Sequence, residues 1–165
     1  MEYYHGTDKN FDFFDLNAAL IYKDFGRGMY LAQEYWHAEA IALGKNGEHA
    51  YVRVYEINSD DMRKYLSVKL FKKKSINWVK YIIENRSKVL VPEYDVVEGI
   101  TADSDAQDKI ETFCRTHKTR VPSIKEYKEL ISKLRPDVYP IQMALLTQRA
   151  IDYVEKQYVK TILVK

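Results

Sequence analysis

The sequence predicts a single α+β domain over residues 1–165, and three observations carry that prediction. Segments that read as strands lie scattered among helical patterns, with no regular βαβ repeat. No internal repeat, low-complexity stretch or linker interrupts a chain of 165 residues, a length typical of one domain. A composition of 46% hydrophobic and 30% charged residues supplies both a core and a solvated surface, and six Gly and four Pro leave little material for disorder.

Tyr3 to Gly6 reads as a short strand entering a turn, followed by an aromatic segment from Phe11 to Phe14. Residues 15–27 read as loop, and Met29-Tyr30-Leu31 as the start of a strand. A helix is expected from Glu34 to Leu43, with Ala38, Ile41 and Ala42 on one face and Gly44 as its stop. Ala50 to Ile57, rich in Val and Tyr, reads as a strand; Asp61 to Val68 has no clear period and turns strand-like near its end. Ser75 to Asn85 reads as a helix burying Ile76, Val79, Ile82 and Ile83, and Tyr94 to Ile100 as a strand.

Ser104 and Gln107 form a capping-box pattern for a helix to about Thr116, with Ala106, Ile110, Phe113 and Cys114 inward. Ser123 and Glu126 repeat that pattern behind Pro122, for a helix that buries Ile124, Tyr127, Leu130, Ile131 and Leu134 and ends at Pro136. Ile141 to Leu146 is a strand, Thr147 caps a helix to about Lys156, and Val159 to Val164 is a terminal strand. Alternation on the Ile141 strand sends Ile141, Met143 and Leu145 to the core and leaves Gln142 on an open face beside the small Ala144.

A net charge of +2 makes no case for charge-driven nucleic-acid binding. The single cysteine, Cys114, excludes an intramolecular disulfide and a multi-cysteine metal site, and no metal is expected. The N-terminus has neither the basic nor the apolar region of a signal peptide, and no apolar run approaches the roughly 20 residues that span a bilayer, so a cytoplasmic protein is expected.

Two motifs carry chemistry. In Tyr4-His5-Gly6-Thr7, a glycine without Cβ permits close approach to the backbone, flanked by a ring nitrogen and a hydroxyl able to bond a sugar or an amide. In Asp24-Phe25-Gly26-Arg27-Gly28-Met29-Tyr30, two glycines around a cation offer N–H groups to a phosphate, and the Tyr30 ring is placed to stack on a flat heterocycle. Each motif alone is a weak signal, since a His-Gly pair more often marks a turn than a site.

In this order, His-Gly-Thr followed by Gly-Arg-Gly-Met-Tyr and then a helix, the motifs resemble the ADP-ribosyltransferase superfamily, in the branch that includes diphtheria toxin and the poly(ADP-ribose) polymerases. Arg27 stands where that pattern has Lys, and Met29 where it has Ile or Phe. The chain is closer still to a small bacterial group of uncharacterised, toxin-like members, through Tyr94-Asp95-Val96-Val97-Glu98-Gly99-Ile100-Thr101-Ala102-Asp103 and the stretch from Gln142 to Ala150.

The resemblance implies a split β-sheet core with flanking helices and NAD as co-substrate. It implies that His5 bonds an NAD ribose, that the Gly6 backbone holds the nicotinamide carboxamide, and that Thr7 supports the adenosine-side ribose or His5. Tyr30 is then the stacking ring, and Gly28 and Arg27 belong to the cofactor loop, Arg27 toward the pyrophosphate with exposure to solvent as the alternative. Gln142 falls where the superfamily keeps a catalytic Glu. Cleavage of the nicotinamide–ribose bond builds positive charge on the ribose, which an amide dipole can stabilise but for which it cannot act as a general base. Transfer of one ADP-ribose is therefore expected rather than chain growth, with His5, Tyr30 and Gln142 as the site triad.

The implied role is a toxin held by a small antitoxin, acting on a protein or nucleic-acid acceptor. The alternatives are a silent NAD- or ADP-ribose-binding module and a protein-interaction domain without NAD. Tyr35 and Trp36 read either as a far pocket wall or as core, and His37 as a surface position, with a place facing nicotinamide as its alternative. Asp95, Glu98 and Asp103 read as structural, Asp95 paired with an Arg; Lys72-Lys73-Lys74, with Lys69 and Lys80, reads as a solvated basic face.

Overall fold

The computed structural model describes residues 1–102, 105–134 and 140–165. The chain opens with β1 (Glu2–Thr7), a 3₁₀ turn (Leu16–Ala18), β2 (Met29–Ala32), α1 (Tyr35–Gly44) and β3 (Tyr51–Glu56). Then follow α2 (Ser59–Tyr65), β4 (Val68–Phe71), α3 (Ile76–Ser87) and β5 (Val96–Ile100). α4 (Asp105–Thr116), α5 (Ile124–Lys133), β6 (Ile141–Leu145), α6 (Gln148–Glu155) and β7 (Tyr158–Leu163) complete the chain.

The strands form one seven-stranded sheet in the order β4-β5-β6-β2-β1-β3-β7, giving a mixed α+β fold. Only β4 and β5 run parallel; the other neighbours are antiparallel. β1 matches β3 along six residue pairs but registers with β2 only at Tyr4 opposite Ala32, so the sheet is narrowest at that junction. Beyond it the two strands no longer share a ladder.

One face packs Val97, Ala144 and Leu146 against Trp78, Val79 and Ile82 of α3, Ile110 of α4 and Leu130 of α5. The other packs Tyr3, Leu31, Met143 and Leu145 against Met62 of α2 and Ile151 and Val154 of α6. A small third cluster joins Ala38 of α1 to Ala32 and Val52.

Local chemistry explains the helix starts. Ser123 accepts from the Glu126 N–H while Glu126 accepts from the Ser123 N–H, the capping box expected there. Thr147 caps α6 through the Ala150 N–H. The region from Asp61, without a clear period in the sequence, is helical at its start and enters β4 at Val68: Asn58 accepts from the N–H groups of Asp60 and Asp61, with acids in the first turn and Arg63 and Lys64 in the last. Ser104, Asp103 and Pro136 lie outside the described residues.

Three burial expectations are corrected. Ile124 is 64% exposed because it starts α5 ahead of the buried stripe. Ile141 is 41% exposed where β6 enters the sheet, whereas Gln142, expected on an open face, is 7% exposed because helices cover both faces of β6. Trp78, missed as a core residue, is fully buried and donates its indole N–H to the Ile100 carbonyl at 2.7 Å.

Candidate functional site

A cavity of about 1450 Å³ is lined by the end of β1, the segment from Asp8 to Asp24, α1, α3 and α4. His5, Gly6, Thr7, Gly28, Tyr30 and Gln142 all lie on its wall, so residues from three strands converge there.

His5 is buried, and its Nδ1 lies 2.8 Å from the Tyr30 carbonyl oxygen. A carbonyl only accepts, so Nδ1 carries the proton and Nε2 keeps a lone pair. The ring occupies the place where β1 leaves β2, and its bond serves a carbonyl next to the point where the ladder stops. Phe11 and Phe14 pack edge-on against the ring, with centroids 5.9 and 5.6 Å away. Burial pushes the imidazole down to about 4, with Lys45 and Arg53 adding to the effect and the Tyr30 bond opposing it, so His5 is neutral at physiological pH.

Tyr30 is held by its hydroxyl, which donates to the Gly26 carbonyl at 2.8 Å and accepts from the Phe25 N–H at 3.0 Å. Its ring stacks on Phe25 with planes 10° apart. Burial raises the phenol well above its ordinary range, so it stays a neutral donor and the ring is a fixed platform. Tyr30 faces Ala144 in the β2–β6 ladder and Gln142 faces Ala32. Gln142 is thus the diagonal neighbour of Tyr30 on one face, a relation that spans about 7–8 Å. No described residue makes a hydrogen bond to the Gln142 side-chain amide, which lines the cavity although the residue is buried. The amide is not among the fully buried unpartnered polar atoms, so it keeps access to the cavity and to a ligand there.

The glycines serve a different purpose from the one expected. A Cβ on Gly6 would stand 2.0 Å from the Ala38 carbonyl oxygen, so the close approach it permits is that of helix α1. A Cβ on Gly28 would meet the Leu145 carbonyl at 2.5 Å, and Gly26 has φ +104° with the Asn85 side chain against it. The loop is therefore closely packed against β6 and α3. Thr7 spends its hydroxyl on Lys9, accepting from the Lys9 N–H at 3.1 Å in a tight turn, and supports the segment that leaves β1 rather than His5.

Residues 1–156 match the model of a family described as Protein of unknown function (DUF3990). The chain belongs to this family. No curated protein and no solved structure matches it. The DUF3990 match runs from β1 through α6 and so includes His5, Tyr30 and Gln142; β7 lies beyond it.

Two expected site residues are not on the cavity wall of this DUF3990 chain. Arg27 is half-buried, and its Nε has no hydrogen-bond partner among the described residues. Tyr35 packs edge-on against Tyr4, with ring centroids 5.7 Å apart, because it opens α1 over the face that carries Tyr4. Trp36 is 59% exposed. His37, expected on the surface, is buried and lines the cavity, since α1 turns that side toward the sheet.

Asp24 and Arg86 went unnoticed in the sequence, although Asp24 begins the second motif. The Arg86 guanidinium donates to Asp24 and to the Ala102 carbonyl, and Asp24 accepts from the Ala102 N–H. Both line the cavity and fasten its covering segment to α3. At the other end of that segment Arg53 donates to the Phe11 carbonyl at 2.6 Å, lies 4.4 Å from the Phe11 ring centroid and pairs with Glu155. These partners are 62, 42 and 102 residues apart, and no local pattern announces them.

Asp95 and Glu98 are structural, as expected. Burial works against the Asp95 charge, but donors on Arg149, Ser67 and Thr147 outweigh it and hold the carboxyl well below the usual carboxylate range. Glu98 accepts from Tyr3 and Gln33. Lys72 and Lys73 are solvated, while Lys80 lies over the Tyr127 ring. Among the described residues, no group of three His, Cys, Asp or Glu could hold a metal ion, and no helix is long and apolar enough to cross a membrane.

Proposed function

We propose that this protein is a NAD-dependent mono-ADP-ribosyltransferase with its site in the cavity of His5, Tyr30 and Gln142. One observation carries the reading: a glutamine amide with no hydrogen-bond partner among the described residues shares a wall with a fixed tyrosine platform and a neutral histidine. Those three groups suit a ribose, an aromatic amide and the charge between them.

In the proposed reaction the nicotinamide lies against Tyr30 and the His5 Nε2 accepts from a ribose hydroxyl. As the nicotinamide–ribose bond breaks, its electron pair leaves with the nicotinamide and positive charge develops on the ribose. The Gln142 side-chain oxygen turns its dipole toward that charge. With an amide at this position, the acceptor must release its proton by another route. The toxin role, an antitoxin partner, a cytoplasmic setting and a protein or nucleic-acid acceptor belong to this proposal through the motif resemblance.

The same amide favours a second reading, a module that binds NAD or ADP-ribose without turnover. Incubating the purified chain with labelled NAD and a whole lysate separates the two. Nicotinamide release and label on a lysate fraction, both lost in Gln142→Ala with binding retained, support the transferase. Tight NAD binding without release supports the module, and no NAD binding rejects both.

A further inference from the structure

Arg53 stands opposite His5 in the β1–β3 ladder, so the two side chains share one face of the sheet. It is 5% exposed, and all three of its nitrogens have partners. Nε donates to the Tyr55 hydroxyl at 2.8 Å, one terminal nitrogen to the Phe11 carbonyl at 2.6 Å and the other to Glu155 at 2.9 Å. The guanidinium carbon also lies 4.4 Å from the Phe11 ring centroid and 4.5 Å from that of Tyr158. An apolar side chain would fill this place without the cost of burying a charge, but it could not hold a carbonyl.

What Arg53 holds is a stretch with little structure of its own. Residues 10–14 belong to no helix or strand. Among the described residues, the bond from Arg53 to the Phe11 carbonyl is the only hydrogen bond made by any group of that stretch. The stretch is also a wall common to two cavities. Phe11, Phe13 and Phe14 line the His5 cavity and a second one of about 800 Å³, which takes in Arg53, Glu155 and Tyr158. Arg53 is not on the wall of the first, so it touches no ligand there. Its path to the site is the Phe11 ring, which meets the His5 imidazole edge-on at 5.9 Å and the Phe14 ring at 5.8 Å.

We infer that Arg53 is a positioning residue for His5: from behind the shared wall it holds Phe11 against the imidazole, and so fixes the ring that presents Nε2 to the cavity. The Tyr30 bond sets the tautomer, while the Phe11 and Phe14 edges set the ring plane and keep water from it. Beyond burial, Lys45 and Arg53 are the charges that bear on the ring. Tyr158 flanks the guanidinium from β7, beyond residues 1–156, so the outer part of this clamp lies outside the family match. The inference rests on the NAD reading for what Nε2 accepts from, and the placement of the ring does not.

Nuclear magnetic resonance of the full chain, isotope-labelled at histidine, tests the clamp, with calorimetric titration of NAD beside it. R53K keeps the charge but lacks the planar fork, and F11A removes the ring contact while leaving Arg53 in place. Y158A, at a 43% exposed position, loosens the guanidinium from the other side and takes the place of R53K if that variant does not fold. In each, the His5 Nδ1–H should exchange about tenfold faster or more as water reaches the ring, and the midpoint of the imidazole should rise from about 4 toward 6.5. R53K/F11A, or Y158A/F11A, should match F11A alone, because members of one path do not add. NAD affinity should fall about tenfold with them. Wild-type exchange and midpoint in F11A would overturn the inference, and so would an effect of R53K or Y158A that persists in full without the Phe11 ring. A shifted His5 in a protein that binds no NAD would keep the clamp and reject the NAD reading. An unshifted His5 with NAD still bound would do the reverse.

Discussion

The Nδ1–H of His5 donates to the carbonyl oxygen of Tyr30 across 2.8 Å, at the point where β1 and β2 stop sharing a ladder. One bond thereby joins the two motifs, selects the tautomer of the ring and leaves Nε2 to accept from whatever enters the cavity.

Acid should weaken both the fold and the site through this histidine. His5 is depressed to about 4 in the fold, against 6.5 ordinarily, so the unfolded chain binds the proton more readily between those values. Its contribution is complete above pH 6.5 and is lost as pH falls toward 4, about 3 kcal/mol in all. Urea denaturation from pH 7 to pH 4 should show that slope, and His5→Asn should remove it. A slope unchanged in the variant would refute the assignment.

Gly6→Ala should be among the most damaging single substitutions outside the core. The new methyl would have to move the Ala38 carbonyl, which is helix backbone rather than a flexible side chain. A cost of about 3 kcal/mol is expected. Equilibrium unfolding measures it; a loss below 1 kcal/mol would mean that α1 is seated less tightly on β1 than described.

Tyr30→Phe separates the two uses of that residue. The ring and its stack on Phe25 remain, but the Phe25 N–H and the Gly26 carbonyl lose their shared partner. Stability should drop by about 1–3 kcal/mol. Ligand affinity should fall only as far as the loop loosens, whereas Tyr30→Ala should abolish binding altogether. Equal binding losses in both variants would show that the hydroxyl, not the ring, meets the ligand.

Gln142→Glu tests the chemistry of the proposed transferase from the gaining side. A carboxylate at that position would stabilise the ribose cation and assist the acceptor, and nicotinamide release should rise about 10²-fold. A chromatographic assay of nicotinamide decides the matter. No increase, with NAD still bound, would mean that position 142 does not face the reacting carbon.

Asp95→Asn should loosen the join between β4, β5 and α6. The carboxylate accepts from Ser67, Thr147 and Arg149, and its depressed pKa means that its contribution is present at neutral pH and lost on acidification below the ordinary Asp range. A cost of about 3 kcal/mol at pH 7 is expected, together with a flatter acid limb in thermal unfolding. An unaltered melting temperature would contradict it.

The sequence by itself determined most elements of the fold, because their signals are local. Composition located β3, periodicity located α3 and β6, and the Ser123–Glu126 box placed the start of α5 within a residue. Asn58 with two acids was an equally local cap for α2 and went unread. Two short motifs pointed to His5 and Tyr30, and the family resemblance of the stretch from Gln142 to Ala150 added Gln142. Tertiary structure alone decided that these three share one cavity, that Gly6 answers to a helix rather than a ligand, and that Arg27 lies off the cavity wall. The reason is geometric: a cap or a period is settled within four residues, whereas which side of a β1–β2 opening a side chain enters depends on strands, loops and helices tens of residues away.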